Sequence, residues 1–371
     1  MAAKRAAVLA PNWSALPIDV MYRVVGRLPV GADRLRAAKV CRQWRAAVRR
    51  RRRRHGNGPV VYLALVDGKV FSFPGAKPAR PSRCPGYLGV CNDQLLFEDR
   101  EYCCYRLVSP FTGRATALPN LSAIRDEQMS PDMSIRKMIV RPDGLIAAIV
   151  GREHFAKVAL CSLEHFSWSV GAGDQWRWYE DMVYYDGKLY ALVANGGDLL
   201  AFDLGYKDNG EAMISGVKTV ITGSGYSGLR GMRYLVKSRS GELLMVNKIM
   251  NGAEKPYAFE VYKAVLQSWG SKWERVTPLD CDEALFVGRL SSRAVHADRE
   301  GLEGYQIFFL DDTVGMSSRT SAPWVQPSHH AGVYDMLTGN ITKLLPREST
   351  KNEGPSPATW LFPEDSDDDD E

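Results

Sequence analysis

The sequence lacks most of the features that would place the chain in a membrane, outside the cell or among metal proteins. Its seven cysteines form no Cys-x-x-Cys pair, and the apolar run near the start ends after five residues at Pro11. That run is too short for the core of a secretory signal peptide, and no stretch approaches the roughly 18 apolar residues that span a bilayer. We therefore expect a soluble protein of the nucleus or cytoplasm, with free thiols and no membrane partner.

Catalytic and metal-binding patterns are also missing. No G-x-S-x-G motif is present, and Cys103 and Cys104 are adjacent, so on a strand they would point to opposite faces. The sequence therefore predicts no catalytic residue, no metal and no cofactor. One glycine pattern, Gly223 to Gly228, matches the dinucleotide fingerprint G-x-G-x-x-G. The fingerprint requires a following helix, whereas a strand-like segment follows here, so we expect a loop between blades or sheets.

Charge divides the chain into three parts. Residues 1–57 carry 15 Lys and Arg against two acids, and residues 364–371 carry seven acids and no base. The remaining segment has 33 bases and 34 acids and is almost neutral. Because phosphate binding requires concentrated positive charge, this balance argues against nucleic acid as a partner of the large segment. The tail 364–371 has too few apolar groups to fold, so we expect an acidic disordered tail.

After an N-terminal extension of residues 1–11, residues 12–54 have helical character. Val20, Met21, Val24 and Leu28 form an apolar stripe before Pro29 ends the pattern, and a second helical run follows. Each helix is too short and its apolar face too narrow for it to be stable alone. The helices must therefore pack on each other, and the remaining apolar surface must face a partner.

Beyond a linker at residues 55–59, residues 60–363 contain period-two segments that are typical of strands. Five pairs of such segments are separated by short turns, at Asp67-Gly68, Asn92-Asp93, Asp143-Gly144, Asp186-Gly187 and Ser240-Gly241. Asp-Gly favours a type I′ turn, in which both central residues need positive φ. Antiparallel hairpins repeated in this way predict an all-β propeller of six or seven blades, with a pair of β-sandwiches as the competing architecture.

The order of residues in the helical segment resembles the F-box. Leu16-Pro17-x-Asp19-Val20-Met21-x-x-Val24 is followed by Arg27-Leu28-Pro29 and by Val40-Cys41-Arg42-x-Trp44-Arg45, with one extra residue between Pro29 and Cys41. The resemblance implies three short helices that bind the Skp adaptor and, through it, the cullin of an SCF ubiquitin ligase. The residues that it implicates in Skp binding are Leu16, Pro17, Val20, Met21, Val24, Leu28, Val40, Cys41 and Trp44. The alternative is that these side chains are only the core of a helical hairpin.

Residues 60–363 resemble the plant F-box proteins whose C-terminal domain is a KIB-type β-propeller (domain-of-unknown-function family 295). The resemblance rests on several segments in a fixed order, including SPFTG (109–113), DMVYYDGKLYAL (181–192), YLVKSRSGELLMV (234–246), GVYDMLTG (332–339) and TWLFP (359–363). It implies a non-catalytic substrate-recognition subunit and does not identify the target protein. The alternatives are a propeller that binds a small molecule or acts as an enzyme, and an F-box protein that acts outside any ligase.

Two further features concern the localisation of the protein and its contacts with a target. A run of six arginines has three interpretations: a solvated helix end, a nuclear-import signal or a contact for acidic partners. The run consists of Arg49, Arg50, Arg51, Arg52, Arg53 and Arg54. In a propeller, specificity comes from the connections between strands. The candidate connections are Arg100–Tyr102, Asp126–Asp132, Tyr206–Glu211, Lys248–Lys255 and Met316–His330, the last with Trp324 as a candidate aromatic anchor.

Overall fold

The structure of the protein is a computed structural model. In the N-terminal part it describes residues 16, 17, 20, 21, 24, 37 and 40–45. It then describes residues 61–363 except 66, 74–76, 80–84, 100, 102–103, 123, 125–132, 153, 172–174, 195, 224–230, 251–255, 268–269, 277–282, 298–301, 311–330 and 345–357.

In this described part, the strands form six sheets of four or five strands, which we number blade 1 to blade 6. Blade 1 begins with β1 (Val61–Ala64), β2 (Val70–Phe73) and β3 (Lys77–Pro78). Blade 2 contains β4 (Gly89–Cys91), β5 (Gln94–Asp99), β6 (Cys104–Val108) and β7 (Ala115–Leu118). Blade 3 contains β8 (Ser134–Val140), β9 (Ile146–Arg152), β10 (Phe155–Ser162) and β11 (Ser167–Val170).

The second half of the chain supplies three more blades and one returning strand. Blade 4 contains β12 (Tyr179–Tyr185), β13 (Lys188–Val193), β14 (Leu199–Tyr206) and β15 (Ala212–Ile221). Blade 5 contains β16 (Gly231–Lys237), β17 (Leu243–Met250), β18 (Pro256–Val265) and β19 (Lys272–Val276). Blade 6 contains β20 (Glu283–Val287), β21 (Arg293–His296), β22 (Gln306–Leu310), β23 (Ala331–Asp335) and β24 (Ile341–Lys343). The returning strand is β25 (Thr359–Leu361), which joins blade 1.

The blades surround a common axis. Their inner strands are neighbours in succession, with β4 beside β8, β8 beside β12, β12 beside β16 and β16 beside β21. This arrangement is a β-propeller, and its blade number is six, within the range predicted from the sequence. The competing prediction of two packed sandwiches is wrong, because six separate sheets are present.

The first and last strands of the propeller pair with each other in blade 1 and thereby close the ring. β25 pairs with β1, so that Trp360 lies opposite Leu63. The Trp360 side chain is fully buried between blades 1 and 6, with its ring edge-on to Phe73 and Phe286 at centroid distances of 5.5 and 5.1 Å. Its indole N–H donates to the carbonyl of Val287 at 3.0 Å, which satisfies the only polar group of the side chain.

Strands in the middle of a blade are buried on both sides, because each blade packs between two others. In β9, Ala148 and Val150 pack toward blade 2, whereas Ala147 and Ile149 pack toward blade 4. Every residue of β9 except Arg152 is buried. The period-two alternation therefore separates two apolar cores here, rather than a core from solvent.

All five predicted hairpins are present, but their turns differ from the prediction. Asp186 and Gly187 have φ of 47° and 69°, as a type I′ turn requires. At Gly68, Gly144 and Gly241 the glycine has positive φ but the residue before it does not, and each loop has three residues. The type I′ prediction is therefore wrong for Asp67-Gly68 and Asp143-Gly144, because a three-residue loop needs one left-handed residue at its end.

Alternate connections of an antiparallel sheet lie at opposite ends, so the propeller has two distinct faces. In blades 2 to 5, the connections from the first to the second strand and from the third to the fourth strand lie at one end, which we call the turn face. This end carries the turns Asn92-Asp93 and Asp186-Gly187. The opposite end of these blades, which we call the loop face, carries the connections from the second to the third strand and the connections from one blade to the next.

Blade 6 departs from the regular order, because β20 pairs with β22 in parallel. Two hydrogen bonds orient it. The carboxylate of Glu283, at the start of β20, accepts a bond of 2.5 Å from the backbone N–H of Arg239 in a turn of the turn face. The ammonium of Lys248 donates to the carbonyl of Leu310 at 2.8 Å. Because Lys248 lies near the loop-face end of β17, β22 ends at the loop face.

Within the described part of the chain, no helix is long and apolar enough to cross a membrane.

Candidate functional site

The described residues of the F-box segment form a small cluster of their own. Val20, Met21, Val24, Ala37, Val40 and Arg42–Arg45 are helical. The first helical turn begins at Pro17, whose carbonyl accepts the N–H groups of Val20 and Met21 at 3.0 Å each. The three predicted helices cannot be traced further, since the intervening residues lie outside the described part.

Two of the predicted Skp-binding residues point into that cluster. Met21 is fully buried and Trp44 is 6% exposed, and Leu16, Val24 and Cys41 pack against them. Burial leaves Met21 and Trp44 almost no surface for a partner. They support the shape of the segment from inside, and a role for them in Skp binding would have to act through packing.

Other predicted residues lie at the surface. Val40 is 63% exposed and Val20 is 37% exposed, and Pro17 is exposed as well. Exposed β-branched apolar side chains next to a closed apolar cluster fit a surface that another protein covers. The remaining candidate of the set, Leu28, lies outside the described residues, and so do Arg49–Arg54 and Trp324.

The topology assigns the five candidate substrate connections to faces. The strand ends that flank 100–102, 126–132 and 248–255 lie at the loop face, and most residues of these three connections lie outside the described part. The connection 316–330 joins β22 to β23, whose flanking ends also lie at the loop face. Tyr206–Glu211 joins β14 to β15 and therefore belongs to the turn face.

One feature of the turn face was not predicted from the sequence. Three outer turns have the same length, S-P-F-T-G-R (109–114), S-L-E-H-F-S (162–167) and D-M-L-T-G-N (335–340). Their fifth residues have positive φ, which is 71° at Gly113, 72° at Gly339 and 48° at Phe166. Only blade 3 has a side chain at this position, where an L-residue costs about 1–2 kcal/mol relative to right-handed backbone. Aligning the three hexapeptides would have found Phe166.

The glycine pattern at 223–228 is part of a blade-to-blade connection, as the sequence predicted. It lies between β15 and β16, and a strand rather than a helix follows it. The backbone N–H of Gly223 donates to the Asp198 carboxylate at 2.8 Å, and a Cβ on Gly223 would lie 1.8 Å from the carbonyl oxygen of Gly196. The glycine is needed for this close backbone approach between two loops, which accounts for it without a nucleotide.

In the part of the chain that the structure describes, no three His, Cys, Asp or Glu side chains come close enough together to hold a metal ion. The described cysteines, Cys41, Cys91, Cys104 and Cys161, are all free thiols.

Comparison with protein families gives two matches, one in each part of the chain. An F-box domain model matches residues 13–56, so the chain is an F-box protein. A KIB1-4 beta-propeller model matches residues 62–335, which is more than half of the 371 residues, and the chain belongs to that family. The resemblance to an F-box protein with a KIB-type propeller is thereby confirmed. The structure extends the propeller beyond the matched residues, because β24 and β25 complete blades 6 and 1.

No curated protein sequence matches the chain. Among solved structures, the N-terminal domain of Nup159 has 9% identity over 78% of this chain and 87% of its own, with a TM-score of 0.36. The computationally designed Ika8 protein has 10% identity, coverage of 83% and 94%, and a TM-score of 0.36. The PQQ-bound aldose sugar dehydrogenase from Streptomyces coelicolor has 10% identity, coverage of 83% and 99%, and a TM-score of 0.32. At these TM-scores the likeness carries no functional argument.

Proposed function

We propose that the protein is the substrate-recognition subunit of a cullin-based SCF E3 ubiquitin ligase. In this function the F-box binds the Skp adaptor, Skp connects it to the cullin, and the propeller holds a target protein. The contribution to the reaction is proximity, because a held target meets the ubiquitin-charged enzyme at a high effective concentration. The protein itself supplies no catalytic group, and the transfer chemistry belongs to other subunits.

The observation that best supports this proposal is the division of the F-box segment into a closed interior and an exposed apolar surface. Met21 and Trp44 fill the interior, and Val20 and Val40 remain at the surface. A side chain such as Val40 gains about 1.5–3 kcal/mol from full burial, so a partner that covers this surface is stabilised by it. The propeller behind it offers two faces of connections that can contact a target.

The Skp contact is tested by replacing Leu16 and Pro17 with Ala and measuring co-purification of the Skp adaptor. We expect the double variant to lose Skp while the propeller stays folded, since neither residue belongs to a blade. Unchanged Skp binding would contradict the proposal. Leu16 also packs on the buried cluster, so this variant alone does not separate contact from local unfolding.

Val40→Asp distinguishes loss of the Skp contact from local unfolding, because Val40 is 63% exposed. A surface substitution of this kind usually changes stability by less than about 0.5 kcal/mol, whereas a carboxylate buried against an apolar partner is strongly unfavourable. We expect loss of Skp binding with an unchanged melting temperature. Gln43→Asp, at another exposed helical position, changes the net charge by the same amount, so it is the matched control and should bind Skp more strongly than Val40→Asp does.

Localisation to the nucleus, the cytoplasm or both is part of the proposal, and Arg49–Arg54 is the candidate import signal. Replacing the six arginines with Gln should lower the nuclear fraction of a tagged protein and leave Skp binding nearly unaltered, since exposed charges contribute little to apolar contacts. A nuclear fraction equal to that of the natural sequence would leave the run as a solvated basic segment.

The candidate anchor for a target that the sequence predicts is Trp324, which lies outside the described residues. Once a target is known, Trp324→Ala should weaken its capture at matched expression without changing Skp binding or the melting temperature. Equal capture by the variant and the natural sequence would exclude this side chain from the contact.

A further inference from the structure

The turn of blade 3 at residues 162–167 holds an aromatic side chain where two equivalent turns have glycine. Phe166 has φ of 48°, and its counterparts are Gly113 and Gly339. Phe166 is 51% exposed, so about half of its surface is available to a partner. A left-handed backbone at a residue with an exposed aromatic side chain is a reason to look for a function at that position.

Phe166 is one of three exposed apolar side chains on two neighbouring turns. Leu163, in the same turn, is 41% exposed, and Tyr206, at the start of the blade 4 turn, is 62% exposed. We call Leu163, Phe166 and Tyr206 the turn-face patch. The connection Tyr206–Glu211 was already a candidate from the sequence, and the patch places it beside the unpredicted Phe166.

Hydrogen bonds hold the two turns of the patch together. The His165 ring lies 3.1 Å from the Ser162 hydroxyl through Nδ1 and 2.9 Å from the Asn209 carbonyl through Nε2. The Ser167 hydroxyl donates to the Glu211 carboxylate at 2.9 Å. These contacts link blade 3 to blade 4 through the two turns that carry the exposed side chains.

The Tyr206 side chain is held from the other side. Its hydroxyl accepts a hydrogen bond of 3.0 Å from the guanidinium of Arg141, which is paired with Asp143. A surface whose side chains are held in place before binding loses less conformational entropy when a partner docks. The Tyr206 side chain is therefore preorganised, and the hydrogen bonds of His165 and Ser167 fix the two turns that carry the patch.

Among the charged side chains on the two turns of the patch and on the neighbouring Arg141 turn, those that are not in ion pairs are acidic. Arg141 pairs with Asp143, and Lys207 pairs with Glu211 at 2.8 Å. Two exposed acids at the tips of the turns, Glu164 and Asp208, have no ion-pair partner among the residues that the structure describes. The patch thus combines an apolar centre with an acidic rim, and the complementary partner combines an apolar side chain with a neighbouring Lys or Arg.

We propose that the turn-face patch docks a segment of a partner protein in which an apolar anchor residue lies next to Lys or Arg. The anchor covers Phe166 and Leu163, and the basic side chain lies near Glu164 or Asp208. This inference rests on the proposed function, because it identifies the segment as the recognition element of the target protein. A second copy of this chain and an acidic peptide are the alternatives that the experiment distinguishes.

The test is a selection of random short peptides displayed on phage against the full-length protein bound to the Skp adaptor. Selected peptides are then synthesised and their dissociation constants measured. We expect an apolar residue with adjacent Lys or Arg to be enriched, and Phe166→Gly to weaken binding by at least about tenfold. Because Gly suits φ of 48°, this variant should melt no lower than the natural sequence.

Leu337→Ala is the matched control, since Leu337 is 58% exposed in the equivalent turn of blade 6 and should not affect the peptides. The double variant Glu164→Lys and Asp208→Lys should weaken the same peptides several-fold, with a larger effect at low salt. These substitutions lie far from the F-box in sequence, so Skp binding, measured in parallel, tests the proposed function separately.

The proposal is overturned by a selection that enriches no binder or enriches acidic peptides, and by peptides that bind Phe166→Gly as well as the natural sequence. Peptides that depend on Trp324 and not on Phe166 would assign recognition to the segment 316–330 instead. Self-association that Phe166→Gly abolishes in sedimentation would assign the patch to a second copy, which also overturns it.

Discussion

At the scale of single residues, a buried carboxylate joins three blades near the axis. Asp181 in β12 is ion-paired with Lys137 in β8, and both side chains are at most 5% exposed. Its second oxygen accepts the backbone N–H of Leu235 in β16 at 2.8 Å, and its first also accepts that of Met182 at 2.6 Å. Burial raises the pKa of Asp181, and the Lys137 ammonium opposes that rise.

Asp181→Ala should therefore destabilise the propeller strongly. The substitution leaves the Lys137 ammonium buried without its carboxylate, for which a loss of about 3–5 kcal/mol is typical. Urea unfolding followed by tryptophan fluorescence measures the change. Asp143→Ala is the control, because the Asp143 side chain is 50% exposed in its pair with Arg141 and should cost less than about 1 kcal/mol. Equal losses in the two variants would contradict this account of the interior.

Thiol reactivity is a second prediction at this scale. Burial raises the pKa of Cys91 and of Cys161 to about 12, and the nearby Asp93 adds to the rise at Cys91. Because the thiolate is the reactive species, iodoacetamide at neutral pH should leave both cysteines unmodified in the native protein and modify them after denaturation. Mass spectrometry of peptides checks this, and native labelling of Cys161 would show that the core between blades 2 and 3 opens.

Single residues were the least predictable part of the molecule. The sequence predicted Met21, Val40 and Trp44 as residues of the helical segment that could face a partner, but it could not show that Met21 and Trp44 face inward while Val40 faces out. That distinction depends on how two helices dock, and each helix alone contains no information about the other. Phe166 was missed for a related reason, since its significance appears only when turns from different blades are compared.

At the scale of elements, local sequence was informative wherever a hairpin formed. The five turn pairs each connect two antiparallel strands, because alternating apolar residues and a turn residue act within one short segment. The parallel pairing of β20 with β22 was not predictable in this way. It depends on β21 folding back to the inner edge of blade 6, and that is a long-range contact.

The closing strand gives the test at this scale. Trp360→Ala removes a fully buried indole from the contact between blades 1 and 6, and large-to-small substitutions of this kind cost about 3–5 kcal/mol. We expect the variant to melt well below the natural protein, as measured by circular dichroism. Trp176→Ala is the control, because Trp176 is only partly buried and stacks on the exposed Phe155. A Trp360 variant that melts no lower than the control would show that ring closure contributes little.

At the scale of the whole molecule, the sequence predicted the order of the parts and a narrow range for the blade number. Repeat spacing could not decide between six and seven blades, because the hairpins are unevenly spaced and blade 1 takes its strands from both ends of the chain. The division of the connections between two faces also requires the fold. It separates Tyr206–Glu211 from the other candidate connections and thereby distinguishes two surfaces for a target.

The central claim is that this chain brings a target to an SCF ligase through its F-box. The most direct measurement is titration of the purified full-length protein with the purified Skp adaptor by isothermal calorimetry, followed by addition of the cullin. We expect a one-to-one complex of micromolar affinity or tighter that recruits the cullin and is lost in Val40→Asp. Absence of binding by the natural sequence, with the propeller shown to be folded by circular dichroism, would contradict it.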